Sequence, residues 1–134
     1  RWDDWNLRVV NTRHTVQNLG LRLEAGSPTK VFCYSGDGMF TPTASKLYTN
    51  ADLLVHEAYT SDGTVKNPRG ETVTIGTKTH CSLQQLERLD DMARPKKMAL
   101  IHLNRKLREE KKDILKKYRQ RRWIMPDAGE VIEL

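Results

Sequence analysis

The sequence has 134 residues, of which 37% are hydrophobic and 30% are charged, so it allows a single polar domain. Its apolar residues cluster in short runs, which is typical of a folded chain, and no run approaches the roughly 20 residues of a membrane helix. The two cysteines, Cys33 and Cys81, have no CxxC spacing and support neither a disulfide framework nor a thiolate zinc site. We therefore expect a protein without a membrane segment, in the reducing cytoplasm.

The formal net charge of +6 is concentrated in one segment of the chain. Residues 105–122 contain ten basic and three acidic side chains, whereas the other residues contain thirteen basic and fourteen acidic ones. One interpretation is a solvated outer helix that covers a sheet. The other is a surface that guides a polyanionic substrate, with Arg105 and Arg108 close enough to His102 to reach a substrate phosphate.

The first half of the chain predicts strands followed by a short helix. Alternating or continuous apolar residues predict strands over Leu7–Val10, Leu19–Glu24 and Val31–Tyr34. A short helix is predicted over Thr43–Tyr48, and the apolar run Leu53–Val55 predicts a buried strand.

The second half predicts a long loop and then an alternation of helices and strands. Residues 60–79 are rich in Gly, Thr, Asn and Pro, and they indicate the loop. A capping box at Ser82 then begins a helix that ends before Pro95, with an apolar stripe of Leu83, Leu86, Leu89 and Met92.

A buried strand over Met98–Ile101 precedes the basic segment, which predicts a helix over Arg105–Arg122. The inner face of that helix would be sparse, consisting of Leu107, Ile114, Leu115 and Tyr118. Trp123–Met125 and Val131–Ile132 predict closing strands around a turn at 126–129. Strands that alternate with helices favour an α/β layer architecture.

His14, Asp37 and His102 lie where predicted strands end. In α/β folds these ends expose side chains on a rigid support, and this is where functional sites occur. Imidazole nitrogens and carboxylate oxygens suit zinc, manganese or iron, and a carboxylate can bridge two ions. The alternative interpretation is two hydrogen-bonded surface histidines and an aspartate that supports its own turn.

Glu57 and His80 are candidates for proton transfer. Glu57 follows the strand Leu53–Val55, and His80 lies just before the predicted helix N-terminus, whose dipole disfavours the imidazolium. A neighbouring carboxylate would have the opposite effect and hold the ring as a proton donor to a leaving oxygen. The alternative is a loop histidine and an ordinary surface carboxylate.

Four short motifs occur in an order that resembles a known family. They are Cys33–Asp37, Ala51–Ala58, Thr79–Ser82 and Leu100–His102, followed by a closing segment over Asp127–Ile132. Together they resemble the C-terminal half of the metallo-β-lactamase superfamily, especially the branch of ribonuclease Z and related phosphodiesterases.

The resemblance implies half of an αββα sandwich, with a mixed sheet and helices on its outer face. The superfamily's His-x-His-x-Asp-His motif occurs nowhere in the sequence. We therefore expect residues 1–134 to be the C-terminal portion of one metallo-β-lactamase domain. The apolar face that the missing N-terminal half would cover predicts self-association, and we expect the chain alone to be inactive.

The resemblance also implies roles for individual residues. His14, Asp37 and His102 would be metal ligands, with Asp37 bridging two divalent ions, zinc being the first expectation and manganese the alternative. A hydroxide formed from metal-bound water would attack the phosphorus of a phosphodiester, with RNA as a candidate substrate, and His80, oriented by Glu57, would protonate the leaving oxygen. A second function class stays open, a basic nucleic-acid-binding module without catalysis.

Overall fold

The computed structural model describes residues 4–74 and 79–134. Within them the chain forms strands, α-helices and one 3-10 helix, in the order β1 Asn6–Thr12, β2 Asn18–Ala25, β3 Lys30–Tyr34, α1 Pro42–Leu47, β4 Leu53–Glu57, β5 Thr64–Lys66, β6 Thr72–Thr74, α2 Leu83–Ala93, β7 Met98–Ile101, α3 Arg105–Glu109, α4 Lys111–Lys117, the 3-10 helix Arg119–Arg121, and β8 Trp123–Ile124.

Six of the strands form one mixed sheet in the order β1-β2-β3-β4-β7-β8. The pairs β1–β2 and β2–β3 are antiparallel, whereas β3–β4, β4–β7 and β7–β8 are parallel. The three parallel pairs need crossover connections, which the segments containing α1, α2 and α3–α4 supply in turn. The mixed α/β architecture predicted from the sequence is confirmed.

One face of this sheet forms the hydrophobic core with the helices. Cys33, Leu54 and Met98 lie opposite one another across β3, β4 and β7, and each is fully buried. The core also contains Tyr48 after α1, together with the apolar stripe of α2. Burial of this continuous apolar surface is the main force that holds the helices to the sheet.

The opposite face of the sheet is apolar but much less covered. A single row crosses all six strands on this face, and it consists of Val9, Leu21, Tyr34, Val55, Ala99 and Ile124. A second row consists of Leu7, Leu23, Phe32 and Leu53. Leu7 is 60% exposed and Val9 is 58% exposed, although both belong to residue types that are usually buried. The exposure is greatest at the β1 edge, since Leu53 and Ala99 in the same two rows are only 3% and 0% exposed.

Side-chain caps define where α1 and α2 begin. Thr41 accepts a hydrogen bond from the Ala44 N–H, and Ser82 and Gln85 form the predicted capping box. Three residues of the predicted α2 stripe are buried, but Met92 is 54% exposed, and the prediction for Met92 was wrong. Ala93 is buried in its place, because it lies one full turn after Leu89.

The predicted loop over residues 60–79 contains a two-stranded hairpin, which the sequence interpretation missed. Antiparallel β5 and β6 pair Thr64 with Thr74 and Val65 with Val73. Alternating threonine and valine favour a strand because β-branched side chains fit a pleated surface. Residues 75–78, the end of that predicted loop, lie outside the described residues.

The basic segment is three short pieces rather than the single helix predicted over Arg105–Arg122. Helix α3 ends at Glu109, α4 begins at Lys111 after the single residue Glu110, and the 3-10 helix ends where Arg122 adopts a left-handed conformation. Repeated like charges three and four residues apart weaken a long helix. Side-chain hydrogen bonds to α2 also change the direction of the chain. Tyr118 bonds to Glu87, and Arg121 bonds to Asp90 and Asp91.

The predicted final strand over Val131–Ile132 is not formed. Val131 is 84% exposed, so it has no apolar surface to cover that would favour strand pairing. Trp123 and Ile124 do form a strand, which pairs with Met98 and Ala99 of β7. In the two described stretches of the chain, no helix has the length and apolar content that crossing a membrane requires.

Candidate metal centre

Three of the predicted site residues lie at the same edge of the sheet. Glu57 is the last residue of β4, His102 directly follows β7, and Asp37 lies in the loop after β3. These strands are adjacent and parallel, so their carboxyl ends coincide. His80 joins them from the segment before α2, and the four residues place ligand atoms within 4.8 Å of one another.

Asp37 and His102 form the solvent-accessible part of this cluster. Asp37 Oδ1 lies 2.5 Å from His102 Nδ1 and 3.5 Å from His80 Nδ1. The side chain of Asp37 is 52% exposed and that of His102 is 44% exposed, so both can be reached from solvent. His102 has a φ of 53°, a left-handed backbone that residues other than glycine adopt at some energetic cost. Such strain concentrates at functional sites.

Glu57 is the buried part of the cluster. One carboxylate oxygen accepts the Cys81 N–H at 2.6 Å, and the other lies 2.9 Å from His80 Nδ1. Burial raises the pKa of Glu57 to about 7, the Cys81 N–H opposes that rise, and the charge of Asp37 adds to it. A carboxyl with this pKa and both oxygens engaged by protein groups suits proton transfer.

His14 lies beside the four-residue cluster but is not one of its members. Its ring centroid is 5.4 Å from that of His80, in an edge-to-face arrangement. His14 Nδ1 accepts the Val16 N–H at 3.3 Å, which leaves Nε2 as its candidate ligand atom. The role of His14 as a metal ligand stays a prediction.

Tyr59 is a site residue that sequence reasoning did not select. Its ring stacks on His80, with centroids 4.6 Å apart and planes inclined by 26°, and it lies 5.4 Å from His102. Its backbone N–H donates to the Cys81 carbonyl at 2.9 Å, and its carbonyl accepts the Asn104 N–H at 3.3 Å. Tyr59 therefore connects the two loops that carry the histidines. The one feature of the sequence that could have indicated Tyr59 as a site residue is its position two residues after Glu57.

Asn18 and Ser35 support the carboxylates from beneath, and the sequence interpretation passed over both. Asn18 Oδ1 accepts the Asp37 N–H at 3.1 Å, and Asn18 Nδ2 donates to the Ser35 carbonyl at 3.3 Å. Ser35 Oγ accepts the Glu57 N–H at 3.3 Å. The loop of Asp37 is thus tied both to β2 and to the end of β4.

The three remaining polar residues named in the motifs and the basic segment lie around this centre. His56 is fully buried, and burial lowers its pKa to about 4, so it is a neutral core residue. Arg105 lines a cavity beside Tyr59, whereas Arg108 lines a different one beside His102. The two arginines therefore lie on different sides of the centre, and their contact with a phosphate stays a prediction.

The donor atoms fit a divalent ion such as zinc. Ligand atoms around a tetrahedral zinc, each about 2.1 Å from the ion, lie roughly 3.4 Å apart. Of the residues predicted to bind metal, Asp37 Oδ1 and His102 Nδ1 lie 2.5 Å apart, and this contact would open by about 1 Å to reach that separation. Mixed imidazole and carboxylate donors are the ligands that zinc and manganese take.

Solved structures share this architecture. The chain is similar to the short form of human tRNase Z, with 20% identity, a TM-score of 0.61, and coverage of 79% of this chain and 39% of that one. It is similar to the metallo-β-lactamase fold protein YhfI from Bacillus subtilis, with 21% identity, a TM-score of 0.60, and coverage of 83% and 44%. It is also similar to the long form of RNase Z from yeast, with 18% identity, a TM-score of 0.58, and coverage of 74% of this chain and 13% of that one.

The matched part of the chain therefore has the metallo-β-lactamase fold, and the fold inferred from the motifs is confirmed. The chain spans less than half the length of each of these structures. Neither the family models nor the curated protein sequences searched gave a match.

Gly36 permits the close approach that orders the Asp37 loop. It has a φ of 67°, and an added Cβ would meet Asn18 Oδ1 at 2.6 Å and the Leu19 carbonyl oxygen at 2.7 Å. We expect Gly36→Ala to lower the free energy of unfolding by roughly 3 kcal/mol or more. Gly70→Ala is the matched control, since Gly70 has a φ of 79° and a Cβ added there would meet no atom within 4 Å beyond its chain neighbours, and it should cost about 1 kcal/mol. Equal losses in urea unfolding would contradict the steric argument.

The buried Glu57 carboxyl makes stability depend on pH in the metal-free chain. Its pKa is about 7 in the folded protein and 4.5 ordinarily, so the unfolded chain releases this proton first as the pH rises. The contribution of Glu57 to stability therefore falls between pH 4.5 and pH 7, by up to roughly 3 kcal/mol.

Glu57→Gln keeps an acceptor for the Cys81 N–H and removes this titration. Urea unfolding with a chelator present should show the wild type losing stability relative to this variant across that pH window. The exposed Glu109→Gln is the control, and its difference from wild type should stay constant. A constant difference for Glu57→Gln as well would disprove the raised pKa.

Proposed function

We propose that the chain is part of a metal-dependent hydrolase that cleaves phosphodiester bonds. The observation that carries this proposal is the division of the cluster into two parts. Asp37 and His102 are solvent-accessible donors suited to an ion, whereas the buried Glu57 engages His80 at 2.9 Å as an acid–base pair. A hydrolase needs both an activated water and a proton for the leaving group.

Asp37, His102 and His14 are the residues we assign to metal binding. Divalent ions, zinc first and manganese as the alternative, would supply an activated water and neutralise charge that develops on the phosphate. Asp37 has two carboxylate oxygens, of which Oδ1 lies 2.5 Å from His102 Nδ1, so it is the residue we assign to bridging two ions. These three ligands do not complete two coordination spheres.

His80 is the residue we assign to protonation of the leaving oxygen. Its Nδ1 faces Glu57 Oε2, so an Nδ1–H donates to that carboxylate and Nε2 is directed away from it. Tyr59 stacked on the ring restricts its rotation. A phosphodiester has an alkoxide leaving group that needs a proton, which is why this pair favours phosphodiester cleavage.

The uncovered apolar face supports a proposal about the partner. In an αββα sandwich two sheets pack face to face, and the row from Val9 to Ile124 is the kind of surface that a second sheet covers. We infer that the N-terminal half of the domain is this partner and supplies the missing ligands. Without it, a second copy of the chain can cover the same apolar face.

A second candidate is a nucleic-acid-binding module that uses the basic segment without catalysis. The concentration of charge in residues 105–122 favours it. The two candidates differ in what the cluster does, because a binding module needs no metal and would be insensitive to changes at Asp37.

Metal uptake tests the proposed function. After loading with zinc or manganese and desalting, elemental analysis should find a fraction of one ion per wild-type chain, because the ligand set is incomplete, and less than a tenth of that amount in Asp37→Ala, which removes the shared carboxylate. Asp113→Ala, an exposed change on α4, is the control and should keep the wild-type amount.

Oligonucleotide binding by the same variants separates the two candidates. Unaltered binding by Asp37→Ala together with lost metal supports the hydrolase. If the wild type itself takes up no metal, salt-sensitive binding that persists when His14, Asp37 and His102 are all replaced would support the binding module instead.

The apolar face predicts the association state of the isolated chain. We expect self-association, and we expect Leu7→Thr combined with Val9→Thr to shift the chain toward monomer, since threonine keeps strand propensity but lowers apolar area. Val131→Thr, at an 84% exposed position outside the sheet, is the control and should change nothing. Size-exclusion chromatography with light scattering measures the outcome, and a wild-type monomer at high concentration would count against it.

A further inference from the structure

A cavity of about 420 Å³ adjoins the metal centre on the side of Tyr59. Its walls come from the end of β4, the β5–β6 hairpin and the beginning of α3, and they consist of Tyr59, Thr64, Val65, Lys66, Thr72, Asn104, Arg105 and Lys106. Neither the motifs nor the proposed reaction uses this cavity. The hairpin that forms half of it lies in the segment where the sequence predicted only a loop.

The lining of the cavity suits an anion. Three of its side chains, Lys66, Arg105 and Lys106, are cationic, and none of the described residues that line it is acidic. Asn104 and the Thr72 hydroxyl add hydrogen-bonding groups, whereas the Thr64 hydroxyl donates to Asp62 Oδ1 at 2.8 Å. Lys66 Nζ lies 2.7 Å from Thr72 Oγ1, a bond that spans the hairpin and holds the ammonium at the wall.

The other two cations are available to a ligand. Arg105 Nε lies 2.7 Å from Glu109 Oε1, and Lys106 Nζ lies 4.0 Å from Glu110 Oε1. Both are pairs between exposed side chains on a helix surface, which contribute little free energy and exchange readily for a better-placed anion. Binding of a phosphate would therefore displace weak interactions only.

Tyr59 connects this cavity to the reacting group. One face of its ring is stacked on His80, while the same residue forms part of the cavity wall. On the proposed function, His80 protonates the leaving oxygen, so the leaving part of the substrate lies on the His80 side. The next nucleotide of the leaving portion of the substrate would then lie over Tyr59, close to the cationic side chains of the cavity wall.

We propose that this cavity binds the phosphate of the nucleotide next to the scissile bond, on the leaving-group side. The inference rests on the proposed function and extends it by naming the substrate as an oligonucleotide rather than an isolated phosphodiester. The volume is within the range for small-molecule pockets, and we propose a single-stranded segment because its bases are free to stack. Tyr59 offers an aromatic surface for its base.

Fluorescence anisotropy of a labelled single-stranded oligouridylate tests the proposal. The test variant combines Lys66→Gln, Arg105→Gln and Lys106→Gln. The matched control combines Lys112→Gln, Lys116→Gln and Arg119→Gln, which removes the same charge from exposed positions of the basic segment. Circular dichroism and elemental metal analysis on the same preparations establish that all three proteins are folded and report their metal content.

We expect the cavity variant to bind the oligonucleotide at least 10-fold more weakly than wild type and the control to bind it less than 3-fold more weakly. The slope of the logarithm of affinity against the logarithm of salt concentration should fall by about 1 to 2 in the cavity variant, since each phosphate contact contributes about 0.7. A dinucleotide with a single phosphodiester should bind all three proteins equally.

Equal weakening by the two triple variants would overturn the proposal, because it would show a general effect of charge rather than a subsite. An unchanged affinity in the cavity variant, or no measurable binding by the wild type, would overturn it as well. Selective weakening in a chain that takes up no metal would support the subsite and contradict the proposed hydrolase, so the two failures are distinguishable.

Discussion

The buried carboxylate of Glu57 is the interaction on which the candidate site depends. It lies at the end of β4, and it accepts the Cys81 N–H at 2.6 Å and approaches His80 Nδ1 at 2.9 Å. A buried carboxyl is costly unless its oxygens have partners, so the segment before α2 must adopt the one conformation that supplies them. The same requirement that orders this segment brings His80 to Asp37 and His102. The Glu57 carboxyl thus couples the stability of the fold to the geometry of the site. The same burial that makes it structurally important also raises its pKa.

The sheet imposes a second constraint, because its two faces have different environments. The face toward α1 and α2 contains fully buried residues such as Leu54 and Met98, whereas the other face leaves Leu7 and Val9 more than half exposed. The metal centre lies at the edge of that second face, since Glu57 pairs with Ile101 in the row next to Val55 and Ala99. Whatever covers the apolar face also approaches the centre. Completion of the fold and completion of the coordination are therefore one event in the proposed hydrolase.

Much of the fold was predictable because its signals are local. Strands such as Val31–Tyr34 have apolar runs, and α2 begins at a capping box that can be read directly from Ser82 and Gln85. The basic segment was predicted wrongly as one helix because its breaks come from bonds to α2, which a periodicity cannot show. The β5–β6 hairpin was missed because its threonines and glycines are equally typical of loops.

The sequence by itself determined which donors are available and that Asp37, Glu57 and His102 end strands. Residue type and strand periodicity are properties of neighbouring positions, so the sequence shows them directly. Only the tertiary structure decided that β3, β4 and β7 lie side by side, that His14 stands outside the tight cluster, and that Tyr59 stacks on His80. The tertiary structure alone also showed that Asn18 accepts the N–H of Asp37, which lies 19 positions later in the chain. These contacts join positions far apart in the chain, and they arise from strand order and burial rather than from any local pattern.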